Sequence, residues 1–107
     1  MLQQTESRES IDWERIDPAT SFKNKTLTKL YFSRRMLVGV DFSGSTLTEC
    51  DFSNCDLSHA NFEGADLYRS KFQRSVLYAS RFRDCNLTRC DFSESYIYGL
   101  RIVDCPS

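Results

Sequence analysis

Every fifth residue from Phe22 to Ile102 is a large apolar side chain. The series runs Phe22, Leu27, Phe32, Leu37, Phe42, Leu47, Phe52, Leu57, Phe62, Leu67, Phe72, Leu77, Phe82, Leu87, Phe92, Ile97, Ile102, without a gap. All eight phenylalanines of the chain belong to it, alternating with leucine up to Phe92. An amphipathic helix repeats every 3.6 residues and a half-buried strand every two, so a period of five matches neither. It marks an internal repeat, and repeats this short build solenoids in which each unit buries its apolar face only against its neighbours.

A second register lies two residues before each of these apolar teeth. It holds Val40, Ala60, Ala65, Ser70, Ser75, Ser80 and Ser95, and all five cysteines: Cys50, Cys55, Cys85, Cys90 and Cys105. The slot selects small side chains, and cysteine behaves there as a small buried residue. Inert core thiols are therefore expected. The odd count argues against a disulfide framework, although a disulfide between neighbouring cysteines remains an alternative. No CxxC pair exists and the lone His59 falls in another phase, so no metal site is expected.

The residue before a tooth is often Asp or Asn and the residue after it often Ser or Thr. Cys55-Asp56-Leu57-Ser58-His59, Ala60-Asn61-Phe62-Glu63-Gly64 and Ala65-Asp66-Leu67-Tyr68-Arg69 are the clearest units. They resemble the A(D/N)LXX motif of the pentapeptide-repeat family, and the resemblance runs over residues 20–105. It implies an all-β fold: a right-handed quadrilateral β-helix of about four coils, with one pentapeptide per side and tooth and small slot both facing inward. Residues twenty apart would then stack at strand spacing, ~4.8 Å. Phe22, Phe42, Phe62, Phe82 and Ile102 would share one side, and Phe32, Phe52, Phe72 and Phe92 the opposite one. A coil of ten would give equally uniform columns. Charges favour twenty: Lys29/Glu49, Glu49/Arg69, Asp51/Lys71, Lys71/Asp91, Glu63/Arg83 and Arg74/Glu94 are opposite in sign. Only Arg69/Arg89, Arg81/Arg101 and Asp84/Asp104 are alike, and like charges stacked on a ladder destabilise it.

The ends differ from the middle. Lys25 and Arg35 stand in the small inward slot, so either the opening coil splays or their heads escape to water. Thr5 to Asp17 reads as a short amphipathic helix carrying Ile11, Trp13 and Ile16 and ended by Pro18, a capping element over residues 1–19. At the other end Leu100, Ile102 and Val103 would meet water beside an open strand edge. A homodimer through this C-terminal coil is expected, unless the chain is a piece of a longer protein whose next segment covers it.

The net charge of −1 gives no bulk attraction to nucleic acid or membrane. No run of eighteen apolar residues exists, and residues 1–6 lack an apolar signal core, so a cytoplasmic location is expected. No catalytic motif, phosphate loop or cofactor signature is present. Asp51, Asp56 and Asp66 fit the repeat motif, and Gly39, Gly44, Gly64 and Gly99 all fall two residues after a tooth, as corner residues. A tightly filled interior leaves no substrate pocket. One surface region stands out: Val76, Tyr78, Tyr96 and Tyr98 point outward on one side, with Arg81 and Arg101 around the corner. Tyrosine beside arginine with an apolar neighbour is the composition of interface hot spots. The expected function is a non-catalytic interaction or scaffold module with a protein partner. A different class must be weighed, because some members of the family protect DNA gyrase from quinolones by resembling duplex DNA in shape and charge. A DNA-mimicking regulator of a type II topoisomerase is therefore the alternative. Acids occupy Asp41 to Asp66 without one Lys or Arg, and Arg69, Lys71, Arg74, Arg81, Arg83 and Arg89 follow as a basic band. Such banding favours pairing between coils over a continuous acidic face. Direct nucleic-acid binding is not expected, since the basic residues encircle the rod.

Overall fold

The computed structural model describes residues 21–106, so the expected capping helix over residues 1–19, with Trp13, lies outside the described residues. Parallel bridges join each residue before a tooth to the one twenty later, from Ser21↔Asp41 to Val76↔Tyr96. The last two coils carry the ladder's longest pieces, β1 (Arg81–Arg83) and β2 (Arg101–Val103), paired in parallel with Phe82 beside Ile102. The coil is therefore twenty residues long, and the ten-residue alternative is excluded. The walls close into a right-handed quadrilateral β-helix, the sense favoured for parallel connections.

Each wall ends in a tight turn. The tooth carbonyl accepts the N–H three residues on, as in Ala60 N to Leu57 O at 3.0 Å and Ala65 N to Phe62 O at 3.0 Å. The residue two after the tooth sits in the left-handed region at every corner from Asn24 to Asp104, with φ between 55° and 73°. This is the geometry of a type II turn. Glycine was expected to mark the corners, yet most are built from Asn, Asp, Glu, Lys, Arg, His or Ala79. An L-residue in this conformation costs about 1–2 kcal/mol. The cost is offset because each corner amide from Asn24 to Asp84 also donates to the next coil, as His59 N does to Tyr78 O at 2.8 Å.

The interior is two columns of aromatic rings separated by two of leucine. Phe42, Phe62 and Phe82 stack face to face at 5.1 and 4.7 Å, and Phe52, Phe72 and Phe92 at 5.1 and 5.0 Å. The two columns meet edge to face across the lumen: Phe62 lies 5.7 Å from both Phe52 and Phe72, with ring planes at 86° and 87°. Both arrangements suit the ring quadrupole. Teeth from Phe22 to Leu87 are buried. The comb loosens at its end, where Phe92 is partly buried while Ile97 and Ile102 are 55% and 48% exposed.

Polar positions are tied to the same framework. In the small slot, Cys50, Cys55 and Ser70 donate to tooth carbonyls of the coil below, Leu27 O, Phe32 O and Leu47 O, at 2.9, 2.9 and 2.6 Å. Ser75 and Ser80 turn back instead to the tooth three residues earlier. The slot thus wants a side chain that is small and, where polar, able to donate. Before the tooth, Asp51 Oδ1 accepts both Ser53 N at 2.9 Å and Ser53 Oγ at 2.6 Å, and Asp56 and Asp91 repeat the bond with Ser58 and Ser93. These Asx turns explain the Asp-tooth-Ser motif as a local clamp on the wall. Lys25 and Arg35 are both exposed, while their carbonyls still accept Thr46 N and Asp56 N. The opening coil is not splayed there; the charged heads leave the slot for solvent.

Candidate interaction surface

Only outward positions remain for function: the residues before and after each tooth, and the corner. Where the Asx clamp is absent, other side chains can stand there. Val76 and Tyr96 pair across the ladder, and Tyr78 and Tyr98 meet edge to face at 6.5 Å. Tyr78, Tyr96 and Tyr98 are 42%, 56% and 85% exposed, while Val76 is half-buried in the ladder between Asp56 and Tyr96. Chain direction then carries the wall round a corner made of Ala79 and Gly99. A Cβ on Gly99 would sit 3.4 Å from Ala79 N, so the two small corners lie closely one on the other. Arg81 and Arg101 begin the next wall, in register across β1 and β2.

The structure thus brings Tyr78, Tyr96, Tyr98, Arg81 and Arg101 to the two flanks of one bare edge. Both guanidiniums are exposed, and among the described residues neither makes a hydrogen bond or ion pair. They border a shallow cleft of about 380 Å³ with Glu63, Phe82, Arg83 and Val103. The sequence had placed the tyrosines and arginines on adjacent walls. It had also placed Gly99 at a corner, but it had overlooked Ala79 in the same phase and could not show how closely the two small corners lie.

The C-terminal candidates separate. Ile102 and Val103 are exposed at 48% and 40%, but Leu100 occupies the inward slot and packs against the core. Sequence reasoning missed Tyr31 and Met36, which are 61% and 72% exposed in the position before the tooth. Their signal was an apolar residue where the repeat prefers Asp or Asn.

The remaining candidates for chemistry are accounted for structurally. Burial pushes the thiols of Cys50 and Cys55 up to about 12 and about 11, which keeps them protonated and unreactive. Asp41 is held below the usual carboxylate range: burial raises it, but the Ser43 hydrogen bonds, Lys23 and Arg81 outweigh that. His59 is an exposed corner residue. Among the described residues no cluster of three or more His, Cys, Asp or Glu is placed to hold a metal ion. No helix among them is long and apolar enough to cross a membrane. Of the expected cross-coil ion pairs, Lys29–Glu49 forms at 3.7 Å and Arg74–Glu94 at 3.3 Å.

Comparison with known proteins adds the following. The family model for pentapeptide repeats matches residues 37–74 and 70–105, together well over half of the chain. Among solved structures, a trypsin-treated variant of QnrB1, a plasmid-mediated fluoroquinolone resistance protein, is 25% identical with a TM-score of 0.80. That match covers 89% of this chain and 48% of the other. A second trypsin-treated QnrB1 variant gives 24% identity and a TM-score of 0.79, over 89% and 49%. A pentapeptide repeat protein from the Arabidopsis thaliana thylakoid lumen is 21% identical with a TM-score of 0.66, over 78% of this chain and 61% of its own. The chain therefore spans about half to three-fifths of these relatives. No curated protein sequence matches it significantly.

Proposed function

The chain belongs to the pentapeptide-repeat family, and we propose that it acts as a non-catalytic interaction module in which the edge between the tyrosine and arginine walls receives a protein partner. The observation that carries this reading is the composition of that edge. Three exposed tyrosines and two exposed arginines flank a corner that holds no side chain larger than a methyl group. Tyr and Arg are the residues that dominate interface energetics, and a bare corner lets a partner backbone approach both walls. Because the walls are rigid, little ordering cost opposes binding.

The test is capture of partners by the wild-type chain and by Tyr78→Ala/Tyr98→Ala side by side. Loss of two such anchors at about 2 kcal/mol or more each should weaken the genuine partner by well over tenfold. Identical capture by both proteins would remove this surface from consideration.

A second contact is proposed at the C-terminal coil, where exposed Ile97, Ile102 and Val103 would join a second copy of the chain. Light scattering at about 100 µM, where a contact with a Kd of that size is half formed, should show a dimer. A monomer there removes this contact and leaves the tyrosine edge untouched. The module is proposed to work in the cytoplasm, without a cofactor.

Likeness to QnrB1 supports one other reading, regulation of a type II topoisomerase by a DNA-like rod. Against it, charge on this chain alternates in bands along the axis instead of forming a continuous acidic face. A gyrase supercoiling assay separates the two: inhibition, or protection from a quinolone, would reverse the order.

A further inference from the structure

Of the five cysteines, only Cys85 and Cys105 stand twenty residues apart. The twenty-residue ladder therefore stacks them in one column, whereas Cys50 and Cys90 flank Ser70 and Cys55 lies under Ser75. Register is secured just upstream, where Arg83 pairs with Val103. Cys105 Sγ accepts the backbone N–H of Cys85 at 3.3 Å, so its sulfur lies directly over the Cys85 backbone. The two thiols lie parallel: Cys85 Sγ donates to Phe62 O at 2.9 Å and Cys105 Sγ to Phe82 O at 3.2 Å. In-register neighbours on adjacent strands have Cα atoms about 4.8 Å apart, inside the range of about 4.4–6.8 Å that a disulfide spans. Access is unequal, since Cys85 is buried and Cys105 is half-buried in the looser last coil.

We propose that Cys85 and Cys105 form a reversible disulfide that fastens the last coil to the one beneath it, made by exchange with a low-molecular-weight disulfide such as oxidised glutathione. The thiolate of Cys105 attacks one sulfur of the small disulfide, forms a mixed disulfide and expels a thiolate, which takes up the proton Cys105 gave. Cys85 then loses its proton and attacks the Cys105 sulfur. The Cys85–Cys105 bond forms, the mixed disulfide breaks, and the second small thiolate leaves and is protonated. Two protein thiols are oxidised by two electrons and one small disulfide is reduced to two thiols, so nothing is left over. Burial, and then the neighbouring Cys105, push Cys85 up to about 12, which makes the second step the slow one and speeds it as pH rises.

The bond would close a loop of about twenty residues and cut the freedom of the unfolded chain. It would also hold β2, with Arg101 and Val103, against β1. The pair is a different matter from the inert thiols of the middle coils, which have no cysteine above or below them. This inference stands whether or not the tyrosine edge binds a partner.

The experiment uses the whole chain, incubated with oxidised or reduced glutathione at mildly alkaline pH, then blocked with N-ethylmaleimide and cut with trypsin. Cleavage places Cys85 in the peptide Asp84–Arg89, Cys90 in Cys90–Arg101 and Cys105 in Ile102–Ser107. The expected product is Asp84–Arg89 joined to Ile102–Ser107. Cys90→Ser should still give it and Cys105→Ser should not, while Cys85→Ser should leave glutathione stranded on Cys105. The oxidised wild type should melt on the order of 10 °C higher than the reduced protein, with no such rise in Cys105→Ser. Persistent glutathione on wild-type Cys105 beside an alkylated Cys85 would overturn the proposal. So would a cross-link to Cys90, the absence of any cross-link, or a Cys85–Cys105 link that leaves the melt unchanged.

Discussion

Replacing Phe62 by alanine tests the interior most directly. Phe62 is wholly buried, with Phe42 and Phe82 stacked on its faces at 5.1 and 4.7 Å and Phe52 and Phe72 meeting it edge to face at 5.7 Å. Truncating a core aromatic costs about 3–5 kcal/mol, and more where the surroundings cannot collapse into the space. Here they cannot. The wall at Phe62 is pinned above and below by Phe42 N to Asn61 O and Phe62 N to Arg81 O, both 2.8 Å. Four ring contacts, each worth about 0.5–1.5 kcal/mol beyond burial, push the figure to the upper end of that range. Phe92 is the internal control: it is partly buried and keeps two ring neighbours, Phe72 at 5.0 Å and Phe82 at 6.0 Å. Phe92→Ala should therefore cost about 2 kcal/mol less than Phe62→Ala, a gap of roughly 10 °C in Tm for a domain of this size. Urea and thermal melts followed by circular dichroism read both. Equal losses for the two variants, or a loss under about 1 kcal/mol for Phe62→Ala, would refute the picture of a graded stack of rings.

Three further outcomes follow from the same geometry. At the corners, Gly64→Ala puts a Cβ on a left-handed residue, in ordinary contact with the Gly44 backbone at 3.8 Å, and should cost about 1 kcal/mol, while Ala79→Gly should gain about 0.5 kcal/mol; opposite signs in a urea melt are the criterion. Above about pH 8.5 the thiols of the unfolded chain ionise, whereas Cys50 and Cys55 stay protonated in the fold to about 12 and about 11. The folded state then binds more protons, so stability should fall as pH rises, by about 2–3 kcal/mol per unit near pH 10 for the two together, and Cys50→Ser/Cys55→Ser should flatten that slope. On the acid side Asp41 and Asp91 are lowered, Asp91 mainly by the Ser93 hydroxyl and amide. Their contribution is present above the ordinary carboxylate pKa and lost as pH falls through the lowered value, so a pH series of melts should show a decline that starts below about pH 4 and is smaller in Ser93→Ala.

Much of this architecture was legible in the residues because one interval, five, recurs without a gap. Phe and Leu at every tooth from Phe22 to Phe92 state which side chains go inside, and the signs of Lys29, Glu49, Arg74 and Glu94 pointed to a coil of twenty. Three things were not legible. Whether Lys25 and Arg35 splay the coil or swing out depends on the backbone ladder, which a residue type does not report. That every corner is left-handed, and not only the four that hold glycine, was hidden; turn geometry is imposed by closing a five-residue wall and overrides the preference of Arg34, Glu49 or Arg74. The edge-to-face meeting of opposite ring columns depends on the width of the lumen, which no spacing along the chain encodes. As for the candidate surface, its members could be read from the sequence as departures from the motif and Gly99 as a corner, but the close stacking of Gly99 on Ala79 between the two walls could not.

Those departures suggest how such a fold carries information at all. The tooth and the small slot are committed to the interior, and the corner is committed to a turn. Of the two remaining positions, seven pairs among the described residues, led by Asp41, Asp51, Asp56, Asn61, Asp66, Asn86 and Asp91, are used by the Asx clamp, so Asp, Asn and Ser there report wall geometry and say nothing about a partner. The informative positions are therefore among those where the clamp has been given up, which include Tyr31, Met36 and Lys71 and, in the last two coils, Val76 with Tyr78, Arg81 with Arg83, Tyr96 with Tyr98 and Arg101 with Val103. At each of these a local hydrogen bond worth about 1 kcal/mol has been exchanged for a side chain that contributes little to the isolated rod. Four such exchanges fall on two adjacent walls of the last two coils, around one bare corner, and the acidic middle coils make none on the same walls. Asp41 and Asp56 there keep their bonds to Ser43 and Ser58. Restoring the clamp with Val76→Asn/Tyr78→Ser, which uses the neutral clamp of Asn61 and Asn86 and so places no second carboxylate over Asp56, should thus leave the rod at least as stable while deleting half of the tyrosine wall, which separates a functional role for these residues from a structural one.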